Sequence, residues 1–176
     1  RRDGQVLDAA AQAGLVAGVL GAMTLTDSFA PVVLLAGHGS STRNNPHAAG
    51  LDCGACCGQT GEINVRVLAQ VLNDDEVRAH LASDHGIAIP ADTRFIPTLH
   101  DTTTDELKLL QPLPDTDAPL NQWIAAAGAT ARRERAPKLG LSPAQSEKAI
   151  PARSRDWSQV RPEWGLAGNA CFIVAP

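Results

Sequence analysis

The spacing of apolar and polar positions along this chain switches between two periods, and the switches mark its elements. From about Val6 to Met23 the chain is almost continuously apolar and rich in Ala and Gly, which predicts a buried helix. Gly14, Gly18 and Gly21 cost stability inside a helix, so close packing against a neighbour is the expected reason for them. Pro31 breaks the chain. Val32–Ala36 then forms an uninterrupted apolar run, as expected of a strand covered on both faces of a parallel sheet. After a long polar, glycine-rich stretch, Ile63, Val67, Leu68, Val71 and Leu72 fall on one face of a helix beginning near Glu62. A second short helix is predicted from about Asp74 to Asp84, with Asp75 and Glu76 favourable at its start and Gly86 as its stop.

Thr93–Leu99 reads as a second strand, and Pro97 within it suits an edge or a bulge. The polar turn His100–Asp105 is expected to cap a helical segment running through Leu110. Gln111–Pro119 contains three prolines and reads as a linker. Leu120, Ile124, Ala127 and Ala131 mark a helix ending in Arg132, Arg133 and Arg135, stopped by Pro137. Leu139–Glu163 reads as irregular, and Asn169–Val174 as a final short strand. Strands alternating with helices predict an α/β fold: a mostly parallel sheet flanked by helices. At 176 residues the chain can bury one core but not two comfortable ones.

Composition narrows the function classes. A net charge of -4 excludes a general nucleic-acid binder, which needs a basic surface. The apolar run Gly14–Leu25 is shorter than the roughly 18 residues that span a bilayer, so no transmembrane segment is read. Arg1 and Arg2 could open a signal peptide, but Asp3, Asp8 and Gln12 interrupt it. Aromatic content is 3% with no tyrosine, so the core is expected from Ala, Val, Leu and Ile. Three of the four cysteines, Cys53, Cys56 and Cys57, lie together. That clustering is unlike a disulfide framework and points to reduced thiols, metal or redox chemistry in a cytoplasmic setting.

The chemistry concentrates between Gly37 and Gly61, GHGSSTRNNPHAAGLDCGACCGQTG, where a strand end and a helix start are joined. In open α/β sheets ligands bind at such junctions. His38 stands between two glycines at the strand end, where it serves either as a metal ligand or as a loop histidine bonded to a neighbour. Cys53 lies near the helix start, which favours a thiolate, and forms a C-x-x-C pair with Cys56 that reads as metal or redox. Cys57 and Cys171 read as small hydrophobes. His100 and Asp101 end the second strand and could face the same crevice, with turn capping as their expected role. No third glycine follows Gly37-x-Gly39 at dinucleotide spacing and no Walker lysine is present, so nucleotide binding is excluded. Arg153, Arg155 and Arg161 with Trp157 and Trp164 make a basic, aromatic segment suited to surface contact.

The Gly37–Gly61 segment and its continuation EINVRVLAQVLND resemble the signature of DabA-type proteins, the carbonic-anhydrase-like subunit of a bacterial inorganic-carbon transporter. LHDTTTDEL (Leu99–Leu107) and DWSQVRPEWGLAGNACFIVAP (Asp156–Pro176) resemble its later signatures in the same order. The resemblance implies a core related to β-type carbonic anhydrases, with zinc held by cysteine, histidine, cysteine and aspartate. The family's histidine in Gly-His-Gly matches His38, and its second cysteine, in Asp-Cys-Gly-Ala-Cys, matches Cys53. Its first cysteine and aspartate belong to a Cys-x-Asp-x-Arg element, which this sequence lacks; the Asp–Arg pair is expected upstream of Arg1. The chain is then expected to be a piece of one larger carbonic-anhydrase-like domain, with residues 37–61 its zinc-site loop and little hydratase activity of its own. The resemblance further implies zinc-assisted hydration of CO2 to bicarbonate and an integral-membrane, antiporter-like partner subunit. It also implies coupling to an ion gradient at the cytoplasmic face of the inner membrane. From the residues alone, a docking module with a structural metal and a thiol-redox module stay open beside it.

Overall fold

The computed structural model describes residues 7–41, 43, 58–113 and 118–159. Among these residues eight helices and strands succeed one another: α1 (Ala9–Ala22), β1 (Val32–Gly39), α2 (Glu62–Leu72), α3 (Asp75–His85), β2 (Arg94–Asp101), β3 (Glu106–Leu109), α4 (Ala118–Arg135) and α5 (Ser146–Arg153). Two short 3-10 turns, Ala136–Leu139 and Pro143–Gln145, join α4 to α5. The strands form one sheet in the order β1-β2-β3. The predicted strand Asn169–Val174 lies outside the described residues.

Register follows from the bonds between β2 and β1. The Arg94 amide donates to the Pro31 carbonyl and the Thr102 amide to the Gly39 carbonyl. The hydroxyls of Thr93, Thr98 and Thr102 reach Ala30, Leu35 and Gly39, each across a separation of 63 residues. A constant difference between partners means that both strands run the same way; antiparallel partners would keep a constant sum. β3 returns after a four-residue turn, Thr102–Asp105, and is therefore antiparallel to β2. The sheet is mixed, which corrects the expectation of a mostly parallel one. The segment expected to be helical through Leu110 is β3 instead, where Glu106, Leu107, Lys108 and Leu109 alternate between exposed and half-buried at a period of two.

By contacts the chain divides into two compact units, Arg1–Ala36 with Glu62–Thr98, and Gly37–Gly61 with Leu99–Pro176. In the first, Asp8 caps α1 by accepting from the Ala11 amide, and α1 packs on α3 and α2. Ala13, Val16 and Leu20 are buried, but Leu15 is 62% and Val19 39% exposed, so α1 is buried on one side only. Close packing explains none of its glycines: a Cβ at Gly14 would meet His85 at an ordinary 3.9 Å, and among the described residues nothing lies within 4 Å of one at Gly18 or Gly21. The buried face of α2 is Val65, Ala69 and Leu72; Ile63 and Val67, expected inward, are exposed. α3 follows its prediction, with Asp74 accepting from the Glu76 and Val77 amides and Gly86 closing it at φ +70°.

Pro97 sits buried in the central strand rather than on an edge. Arg94 and Thr102, both even positions, direct their amides to β1, so odd positions face the other way. There the missing N–H of Pro97 falls beyond the end of the short β3. Phe95 presents its backbone to the same side, and Asn73 satisfies it from both ends: its Nδ2 donates to the Phe95 carbonyl at 2.8 Å and its Oδ1 accepts the Phe95 amide at 3.0 Å. Arg78 locks this corner. It donates to the carbonyls of Leu72 and Thr93 at 2.7 Å each and lies 5.9 Å over the Phe95 ring.

In the second unit α4 matches its prediction. The stretch read as irregular instead contains α5, which tolerates Pro151 within its eight residues. Ile150 and Leu139 are buried together with Leu141 against them. Arg132 ties the two helices by donating to both carboxylate oxygens of Glu147, at 3.1 and 2.8 Å. That bidentate guanidinium holds the Glu147 carboxyl below its ordinary range.

Asn73→Ala leaves two backbone groups of Phe95 without partners and is expected to cost about 1–3 kcal/mol, read as a lower urea midpoint. The Arg132–Glu147 pair gives a pH signature. A depressed carboxyl stabilises above its unfolded pKa of about 4.3 and loses that contribution as pH falls through and below it. Wild type is therefore expected to be more stable than Glu147→Gln at neutral pH, with the two denaturant midpoints converging below that range.

Candidate functional site at the ends of two parallel strands

Gly37, His38 and Gly39 belong to β1, which runs three residues beyond the expected end of the apolar run. The surroundings of Gly37 leave no room for a side chain. A Cβ on Gly37 would stand 2.7 Å from the Gly61 carbonyl oxygen, and one on Gly61 2.9 Å from the Gly37 Cα, closer than packed carbons come. A Cβ on Gly39 would press on the Leu99 side chain at 3.0 Å, which would have to give by a few tenths of an ångström. The first contact holds Gly61 directly against the strand end, and the Gly61 amide donates to the His38 carbonyl at 2.8 Å.

His38 is half-buried, with Nε2 at 3.2 Å from the Gln59 carbonyl oxygen. A carbonyl only accepts, so that contact places the imidazole proton on Nε2 and leaves the lone pair on Nδ1. An imidazole oriented by a backbone carbonyl through one nitrogen, with no partner for the other among the described residues, is the arrangement metal-binding histidines adopt. Cys53 lies outside the described residues, as do Cys56 and His47. Among the described residues no three His, Cys, Asp or Glu side chains are grouped as a metal centre.

The ladder brings a second histidine to the same place. With Thr102 bonded to Gly39, the residue of β2 in register with His38 is His100. Residues in register across a parallel pair project to the same face, so the two side chains leave one face of the sheet at its C-terminal end. That is the edge at which open α/β sheets bind ligands. The turn after β2 is fastened to the segment after His38: Thr102 donates to the Gly39 carbonyl through both amide and hydroxyl, and the Ser41 amide donates to the Thr103 hydroxyl at 3.2 Å.

Asp101 has the turn-capping role expected of it, its Oδ1 accepting the Thr103 amide at 2.9 Å and the Thr104 amide at 3.4 Å. His100 does not share that role. Its Nε2 lies 3.1 Å from Oδ1 of Asp105, an aspartate that the sequence reading passed over as part of the turn. The same oxygen receives the Arg135 guanidinium from the end of α4. Asp105 is buried, with 4% of its side chain exposed, and adopts a positive φ of 56°. Its Oδ2 and the neighbouring Thr104 hydroxyl are buried without hydrogen-bond partners among the described residues. Below them Arg132 donates to the Thr104 carbonyl at 2.8 Å, and Gly128 lets α4 approach so closely that a Cβ there would lie 2.6 Å from the Asp105 carbonyl oxygen. A histidine closing each of two parallel strands was the available sequence signal for His100. Nothing local announced Arg135, 30 residues beyond Asp105.

Comparison with known proteins identifies the family of the chain. The family model described as "Probable inorganic carbon transporter subunit DabA" matches residues 1–176. A protein of that name from Chloroflexus aggregans is 57% identical over 167 residues, 91% of this chain and 20% of its own. Bradyrhizobium sp. subunit DabA 1 is 54% identical over 176 residues, 96% of this chain and 21% of its own. Halothiobacillus neapolitanus DabA2 is 53% identical, covering 99% of this chain and 22% of its own. No solved structure matches. The chain thus spans about one fifth of the curated relatives it matches, and it belongs to the family of inorganic carbon transporter subunit DabA.

Proposed function

We propose that the chain is part of a zinc-dependent, carbonic-anhydrase-like subunit that hydrates CO2 to bicarbonate for an energy-coupled inorganic-carbon transporter. The subunit then works peripherally at the cytoplasmic face of a bacterial inner membrane, beside an integral-membrane, antiporter-like partner. The observation that carries this reading is His38: an imidazole at a parallel strand end, its Nε2 turned to the Gln59 carbonyl, in a chain of the DabA family. His38 and Cys53 would hold the zinc, and the family's Cys-x-Asp-x-Arg element, elsewhere in the longer subunit, would supply the remaining ligands. When bound, zinc supplies a hydroxide nucleophile near neutral pH by lowering the pKa of water. The chain's own contribution is rigidity. The Gly37–Gly61 contact fixes where β1 ends, and the bonds from Thr102 and Thr103 hold the segment that follows. Among the described residues no helix is long and apolar enough to cross a membrane.

One observation favours a docking role as a second reading. Trp157 is 66% exposed just after α5, close in sequence to Arg153 and Arg155. Such a basic, aromatic surface suits contact with the membrane partner.

In the complete subunit, zinc is expected at stoichiometric level in wild type and lost or sharply reduced in His38→Ala and in Cys53→Ala, as measured by elemental analysis after exhaustive dialysis. Wild-type zinc in both variants would refute the ligand assignment. Trp157→Ala with zinc and hydration intact, but with the membrane subunit no longer co-purifying, assigns this tryptophan to docking.

A further inference from the structure

We infer that His100 is a second working residue of the reaction centre, one whose Nδ1 accepts a hydrogen bond from the water that attacks CO2 or from the hydroxyl of the bicarbonate formed. The inference rests on the hydration reading above. Hydration joins the oxygen of water to carbon, moves one C=O electron pair onto oxygen, and releases one proton to solvent. The attacking oxygen must present a lone pair to carbon, and an acceptor for its hydrogen sets that orientation.

His100 fits that task by position and by tautomer. It stands in register with His38 on the same face of the sheet. The Asp105 carboxylate accepts from Nε2, so the lone pair resides on Nδ1, and 35% of the side chain is exposed, leaving the ring accessible. The support behind it is costly in a way a simple surface pair is not. Asp105 is buried at a left-handed φ, accepts from both a guanidinium and an imidazole N–H at one oxygen, and has no partner for the other among the described residues. Strain and unsatisfied buried polar atoms of this kind persist where a side chain must be held in one orientation. Arg135, Arg132 and Gly128 then brace Asp105 from α4. Such a second layer of contacts preorganises a functional group.

The test uses membrane vesicles carrying the complete transporter, with 18O exchange between CO2 and water followed under energised conditions and zinc measured on the same samples. His100→Ala is expected to retain zinc, to lower the maximal rate about tenfold or more, and to weaken bicarbonate binding in calorimetry of the purified complex. His100→Gln, whose amide oxygen accepts a hydrogen bond but does not titrate, is expected to recover part of the rate, and Asp105→Asn to fall between wild type and alanine. A wild-type rate in His100→Ala with zinc intact would overturn the inference. Loss of zinc from that variant would overturn it too, by making His100 a support of the metal. A defect confined to weakly buffered medium and not relieved by His100→Gln would mark a proton carrier instead, again against the inference. Absence of zinc from the wild-type complex itself would remove the hydration reading, and this inference with it.

Discussion

The parallel ladder between β1 and β2 is the constraint from which the described site is built. Because the two strands run the same way, their C-terminal ends emerge together, and whatever closes each strand is presented at one edge of the sheet. The bonds from Arg94 to Pro31 and from Thr102 to Gly39 fix the register at both ends, so a slip would turn every side chain of one strand to the other face. His38 and His100 are neighbours only in this register. Among the described residues the crossover that parallel strands require carries α2 and α3, and Gly61, just before α2, lies against Gly37.

Around this edge the molecule trades stability for definition. A buried aspartate with a positive φ, sharing one oxygen between a guanidinium and an imidazole, gains less than two separate well-solvated pairs would. What it gains is orientation. The chain of contacts runs without a break from α4 through Arg135 and Asp105 to the turn Thr102–Asp105, and from Thr102 and Thr103 to the segment that follows His38. Each link is short and directional, so the strand end is held by side chains rather than by loop backbone alone.

Local signals were legible where one residue acts on its own helix. Asp74 and Gly86 bound α3 as expected, and Arg132, Arg133 and Arg135 close α4. The Gly-His-Gly element was legible as a site, and the purpose of its first glycine became visible only when Gly61 was found against Gly37. The errors share a cause. The Asp101–Leu110 stretch offers a capping side chain but too few residues to show whether its period is two or near four, and the edge of β2 decided for β3. Pro97 argued for an edge strand, yet a central strand accommodates it because β3 is short. Gly18 and Gly21 argued for close packing that the described residues do not provide. His100, Asp105 and Arg135 converge through tertiary register, and no window of sequence contains that.

Asn73 has an architectural corollary. By taking both backbone groups of Phe95 into its amide, this side chain occupies the positions at which a neighbouring strand would bond that residue. A further strand could pair with Phe95 on that flank only by displacing Asn73, so the amide guards this stretch of β2 against edge-to-edge association.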